Sequence, residues 1–148
     1  MLSVEIDTKI LKLLQENCQL TYAEIAKRLD IAHGSAFAHV KKLEKKGFIK
    51  KYSAILDSNK LGYDFTTIIL LQTEGGSNKE LEDELINSPN VLGVYDITGN
   101  YDVALIAKFK TRSLLNTFIK KILSKPNVKR TATNVALKVI KEDFKVEP

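Results

Sequence analysis

The chain has 148 residues, of which 44% are apolar and 28% charged, with a formal net charge of +5 at pH 7. This suffices for one ordinary domain or two small ones with real cores, and no apolar run approaches the roughly 20 residues of a membrane span. The single cysteine, Cys18, excludes an internal disulfide and a cysteine-built metal cluster; with no signal-peptide pattern at the start, a cytoplasmic location is expected.

The charge is unevenly spread. Residues 1–62 carry 11 Lys/Arg against 7 Asp/Glu, whereas residues 63–148 carry 12 against 11. A basic module beside a near-neutral one suggests a nucleic-acid reader joined to a part with another task.

Ile6, Ile10, Leu13 and Leu14 are spaced as one face of a helix beginning near Ser3. Thr21 and Glu24 have the S/T-x-x-E spacing of a capping box, and Ile25, Ala26 and Leu29 form the apolar stripe of the helix it starts. After a break at Asp30-Ile31-Ala32, a second stripe of Ala36, Val40 and Leu43 runs towards Gly47, a permissive residue for a helix end. A short helix, a tight turn and a longer lysine-studded helix make a helix-turn-helix, whose second helix can enter the major groove of double-stranded DNA.

At about 100° per residue, Gly34, Ala38, Lys41, Lys42 and Lys45 fall opposite that stripe, with Ser35, Phe37 and His39 on the flanks. Together with His33 these are the candidate DNA-binding residues: small ones let the backbone approach base edges, and lysines reach phosphates. Lysines 41, 42, 45, 46, 50 and 51 face the single acid Glu44 in this stretch. A lysine run is usually only a solvated face, but on this element phosphate contact is the stronger reading.

The segment Phe48 to Leu56 is rich in β-branched and aromatic residues and is expected to be a strand leading away. Asp57-Ser-Asn-Lys-Leu-Gly62 has turn chemistry. These features divide the chain into a DNA-binding domain over residues 1–52, a linking strand and turn over 53–62, and a second domain over 63–148.

That second domain repeats itself. Pro89-Asn90-Val91 recurs as Pro126-Asn127-Val128, and Leu81, Leu85 and Ile86 match Phe118, Ile122 and Leu123 at the same offset. Each proline follows an amphipathic helix, the first with a capping box from Ser77 to Glu80, the second starting near Thr111. Strands are expected over Phe65 to Thr73, Val91 to Thr98, Tyr101 to Phe109 and Arg130 to Ile140. The order βαββαβ is the ferredoxin-like arrangement, so the fold class is α+β. Phe65 to Leu71 and Val103 to Ala107 are almost continuously apolar, as in strands buried on both faces. Two helices cover one face only, so a second copy of the chain is expected on the other. Gly75-Gly76-Ser77 lacks a P-loop lysine and reads as a turn.

At this point the chain strongly resembles the Lrp/AsnC (feast/famine) family of transcription regulators. The residues that carry the resemblance are Ile6-Asp7, Ile10-Leu11, Leu14-Gln15, Asn17, Glu24-Ile25-Ala26, Leu43-Glu44, Gly47 and Ile49. Further along they are Thr98-Gly99-Asn100-Tyr101-Asp102, Thr131-Ala-Thr133 and Lys138-Val-Ile-Lys141. The resemblance implies a DNA-binding N-terminal domain, a linking strand, and a C-terminal domain that dimerises and usually senses an amino acid, the dimers assembling to tetramers or octamers. Three positions depart from the family pattern. Ala32 stands where a serine N-cap is usual, a change that typically costs about 1 kcal/mol. His39 replaces an arginine, weakening a charge-assisted contact, and Phe37 replaces a small or polar residue.

The family's effector pocket lies near Thr98, Gly99, Asn100, Tyr101 and Asp102. Gly-Asn is also a standard two-residue hairpin signal that needs no ligand. The functional reading adds the Asp102 carboxylate for an α-ammonium group and the Gly99 and Asn100 amides for a carboxylate. Thr131, Thr133 and Asn134 resemble a second lining segment, although threonine is common in any strand. The reading is thus a sequence-specific regulator answering a small effector such as an amino acid, with no cofactor. The alternative is a DNA-compacting architectural protein without an effector. Catalysis is not expected, because both histidines lie on the candidate DNA helix and no metal-ligand cluster is visible.

Overall fold

The computed structural model describes residues 5–76 and 79–148. They divide into two compact units, Met1–Ile55 with Asp143–Pro148, and Leu56–Glu142.

The first unit holds helices α1 (Glu5–Glu16), α2 (Tyr22–Leu29) and α3 (His33–Lys45). The helix start expected near Ser3 lies outside the described residues. Ile10, Leu14, Leu20, Ile25, Ala26, Ala36, Val40 and Leu43 form one buried cluster. Each large side chain there contributes about 1.5–3 kcal/mol relative to exposure. The capping box is present: the Glu24 amide donates to Thr21 Oγ1 at 3.2 Å, and the Thr21 amide donates to Glu24 Oε2 at 2.7 Å. Helix α3 starts at Ala32 with no side-chain cap. It ends in a Schellman arrangement, with the Gly47 amide donating to Glu44 O and the Phe48 amide to Leu43 O, both at 3.0 Å. Gly47 has φ +75°, which glycine adopts without the Cβ clash. The tail residue Val146 joins α1 through a reciprocal pair: Gln15 Nε2 donates to Val146 O at 2.8 Å, and the Val146 amide donates to Gln15 Oε1 at 2.9 Å.

Residues 48–56, expected as a strand, form none. Composition favours a strand only where a neighbour supplies ladder partners, and no described residue of this chain does so.

In the second unit Asp57 Oδ1 accepts from the Asn59 and Lys60 amides at 3.1 and 3.2 Å and closes the expected turn. Strands β1 (Phe65–Thr73), β2 (Val91–Asp96), β3 (Val103–Phe109) and β4 (Val128–Val135) alternate with α4 (Lys79–Asn87) and α5 (Arg112–Leu123) as βαββαβ. The sheet order is β2-β3-β1-β4, every neighbouring pair antiparallel. Ile69, Leu71, Leu105, Ala107 and Phe109 pack with Leu81, Leu85, Leu115 and Ile122 in one core, so both helices lie on the same face. Thr111 Oγ1 accepts from the Leu114 amide at 3.2 Å and caps α5. The Ser77 end of the other capping box lies outside the described residues.

Two strands stop earlier than their composition suggests. β4 ends at Val135, which pairs Thr67, and Ala136 makes a last bond to Thr66 O at 2.8 Å. β2 ends at Asp96, opposite Val103, so the connection to β3 is wider than a two-residue hairpin. On the sheet face away from the helices, Ile68 is 50% exposed. Lys108 is buried on that face, its Nζ donating to Ser58 Oγ at 2.8 Å and pairing with Glu142. Among the described residues no helix is long and apolar enough to cross a membrane.

Candidate functional site

Helix α3 is fixed by its buried stripe of Ala36, Val40 and Leu43. That orientation leaves His33, Gly34, Phe37, Ala38, Lys41 and Lys45 exposed and Ser35 half-buried. The aromatic flank is ordered by α2. The Phe37 ring meets Tyr22 edge to face, with centroids 5.2 Å apart and planes at 88°, and His33 meets the same tyrosine at 6.3 Å and 85°. Lys41 Nζ donates to Glu44 Oε2 at 2.8 Å, and the Tyr52 hydroxyl donates to Glu44 Oε1 at 2.9 Å. Burial, then that hydrogen bond, pushes the Tyr52 hydroxyl up to about 12. Lys45, Lys46, Lys50 and Lys51 make no ion pair among the described residues, so their charges are available to phosphates.

His39 and Lys42 have a partner that helical spacing does not show. Helical spacing alone sets them among the DNA-facing groups, but both turn to Asp7 of α1. His39 Nδ1 lies 2.6 Å from Asp7 Oδ1, and Lys42 Nζ lies 2.9 Å from Asp7 Oδ2. With Asp7 ionised, His39 Nδ1 carries the proton it donates. The Asp7 side chain is only 2% exposed. Burial by itself raises its pKa, but hydrogen bonds and charge from Lys42 and His39 outweigh burial and hold the carboxyl below the usual range. Sequence reasoning missed this residue although a signal was present. Asp7 shares the 7-10-14 face of α1, and a carboxylate in a buried stripe requires a partner.

The second site lies where β1 ends. Asp102 Oδ2 accepts from the Thr73 amide at 2.6 Å and from Thr73 Oγ1 at 3.0 Å, while the Asp102 amide donates to Leu71 O at 2.9 Å. One carboxylate oxygen therefore anchors the 97–102 connection to β1, and Oδ1 makes no hydrogen bond among the described residues. Thr98, Gly99 and Asn100 are exposed, and Gly99 has φ +116°. Thr131 pairs Leu71, so it stands at the same end of the sheet. The expected lining set does not stay together. Thr131 and Thr133 lie opposite Leu71 and Ile69 on the helix side, whereas Asn134 lies opposite Ile68 on the open side and donates to Ile68 O at 3.2 Å. Side chains alternate along a strand, so consecutive residues cannot line one pocket. Arg130, which no sequence signal singles out, stacks over Tyr101 at 5.1 Å and donates to its hydroxyl at 3.2 Å.

The Asp102 contacts give a first expected result. Thr73→Val keeps the amide bond to Asp102 and removes the hydroxyl bond, so it should cost about 1 kcal/mol of stability. Asp102→Ala removes both bonds and should cost about 2 kcal/mol or more. Urea denaturation monitored on both variants checks this; equal costs would mean that the amide bond holds nothing.

A three-helix unit that presents α3 to solvent, joined to a ferredoxin-like sheet with a polar loop at one end, defines a two-part DNA-binding regulator. Residues 5–50 match the model of a winged helix-turn-helix DNA-binding domain, and residues 66–146 match the Lrp/AsnC ligand binding domain. The chain is 44% identical over 144 residues to an HTH-type transcriptional regulator of Pyrococcus furiosus, covering 97% of each. It is 36% identical over 138 residues to HTH-type transcriptional regulator FL11 of Pyrococcus horikoshii, covering 93% of this chain and 91% of the relative. The crystal structure of a Neisseria meningitidis transcriptional regulator in complex with L-Met matches with a TM-score of 0.89 at 25% identity, covering 98% of this chain and 96% of that one. The chain belongs to the Lrp/AsnC family: it is a DNA-binding transcription regulator with a ligand-binding domain, not an enzyme.

Proposed function

We propose that the chain acts as a homo-oligomer that binds specific operators through α3 and answers a small effector of the amino-acid class. The observation that carries the DNA part is the outward face of α3, where Lys45 and the following lysines lack acidic partners among the described residues. The ligand-domain match and the similarity to a regulator solved with L-Met support the effector class. The loop 98–102 with Thr131 is the site we assign to it, with Asp102 Oδ1 facing the ammonium group. The open sheet face and the exposed Ile55, Leu56, Leu137 and Ile140 support assembly, since a lone chain leaves them in water.

Two measurements test this. In a thermal-shift screen of the twenty amino acids, a true effector should raise the melting temperature, since ligand at about 100 times its Kd stabilises by about 2.7 kcal/mol. No shift with any amino acid would remove the effector class. For DNA, Lys45→Ala with Lys46→Ala should leave the melting temperature unchanged and weaken all duplexes. The log-log salt slope should flatten by up to about 0.9 for each phosphate no longer neutralised. An unchanged slope would remove α3 as the DNA-binding element. Equal affinity for selected and random duplexes would favour the architectural reading.

A further inference from the structure

We propose that Phe37 reads the methyl group of a thymine in the major groove, and that this apolar contact sets the operator preference of this chain. The proposal rests on the reading of α3 as the groove helix.

Base edges are distinguished by the groups they present. Guanine is met by arginine or lysine, adenine by asparagine or glutamine, cytosine by a carboxylate, and thymine offers a methyl to apolar side chains. The exposed part of α3 nearest its N-terminus is His33, Gly34, Phe37 and Ala38. Three of these four have no side-chain donor or acceptor, and the Ser35 hydroxyl among them is half-buried. The polar residues that follow are committed elsewhere: His39 and Lys42 to Asp7, and Lys41 to Glu44. Lys45 makes no ion pair among the described residues but lies about 18 Å along the helix from His33, at about 1.5 Å per residue. The end of the helix that enters the groove therefore presents a mostly apolar surface.

Phe37 protrudes from that surface. It is 45% exposed, and its neighbours on the face are a glycine and an alanine. The edge-to-face contact with Tyr22 orients the ring in advance, so little conformational freedom is lost on binding. Gly34 supplies an independent clue. A Cβ built there meets nothing within 4 Å, so no packing inside the protein requires glycine. Glycine costs up to about 1 kcal/mol relative to alanine in a helix interior, and less at Gly34, the second residue of α3. A bare backbone beside a protruding ring is what close approach of a base edge needs.

The test starts by selecting duplexes from a random library with the full chain, then replacing each thymine of the selected site singly with deoxyuridine, which lacks only the methyl. The parent protein should lose about fourfold in affinity at one thymine or more, the worth of burying one methyl-sized group. Phe37→Ala should bind the thymine and uracil duplexes equally, and Phe37→Leu should retain part of the preference. Parent binding indifferent to every uracil, a Phe37→Ala protein that keeps the preference, or selected sites with no shared thymine would each overturn the proposal. Lys45→Ala is measured beside them to locate a failure. If it weakens all duplexes while uracil changes nothing, α3 binds DNA but Phe37 does not read the methyl. If it too changes nothing, the assignment of α3 fails and the proposal falls with it.

Discussion

Asp7→Asn is expected to lower the stability of the helix-turn-helix unit by about 2 kcal/mol while leaving its fold intact. The substitution keeps size and some hydrogen bonding but removes the charge that His39 and Lys42 address. Breaking a fully buried ion pair typically costs about 3–5 kcal/mol, because the remaining charge is stranded. Here the partners are 21% and 35% exposed, so water recovers part of that loss. Two charge-assisted hydrogen bonds, each worth about 1.5–3 kcal/mol, keep the effect well above that of a surface pair. Lys42→Ala should cost less than Asp7→Asn, since His39 still meets the carboxylate. The pH dependence follows from the depressed carboxyl. Its stabilisation is complete above the ordinary aspartate value near about 3.9, and is lost as pH falls through the lower value it has in the folded chain. Urea titrations at neutral pH and across the acid range should show the parent losing this increment and Asp7→Asn lacking it throughout. Equal acid limbs would mean that the buried carboxylate is not held by these cations.

How far the sequence could be read depended on whether a residue's partners were local. The stripe of Ala36, Val40 and Leu43 orients α3 by helical geometry alone, and the structure buries those three residues. Thr21 with Glu24, Thr111 and Gly47 act within one or two turns, and each cap is present. The repeated Pro-Asn-Val motif marks two βαβ halves, which the sheet order joins. Reading failed where the partner is distant in sequence. The Asp7 partners are 32 and 35 residues away, so face arithmetic on α3 placed His39 and Lys42 away from its buried stripe but could not show the carboxylate they meet. Asp102 reaches back to Thr73 across 29 residues, which no turn signal encodes. Residues 48–56 have strand composition but no strand neighbour among the described residues. Arg130 joins Tyr101 only through the register of β4 on β1, so its place beside the loop was visible only in the fold.

For the homo-oligomer proposed above, Ile68→Lys is expected to shift the equilibrium towards single chains by at least about a hundredfold in dissociation constant. Ile68 lies in the middle of β1, paired with Ile106 on one side and Asn134 on the other, on the face away from α4 and α5. In a two-fold interface between such faces the residue is used twice. Full burial of an isoleucine is worth about 1.5–3 kcal/mol. It is already half-covered, so about 1 kcal/mol remains for each copy. Two copies account for about 2 kcal/mol, and two lysine charges drawn out of water add to that cost; each 1.4 kcal/mol is about tenfold. Ile86→Lys is the control, since it places the same charge on an exposed apolar position of α4, in the helix layer. Sedimentation across a concentration series should show Ile68→Lys dissociating where the parent and Ile86→Lys remain assembled. Operator binding by Ile68→Lys should fall in parallel, because two linked helix-turn-helix units engage one duplex at a raised effective concentration and single ones do not. If Ile68→Lys assembled like the parent, the open sheet face would not be the interface, and the exposed apolar residues at 55, 56, 137 and 140 would become the surface to alter next.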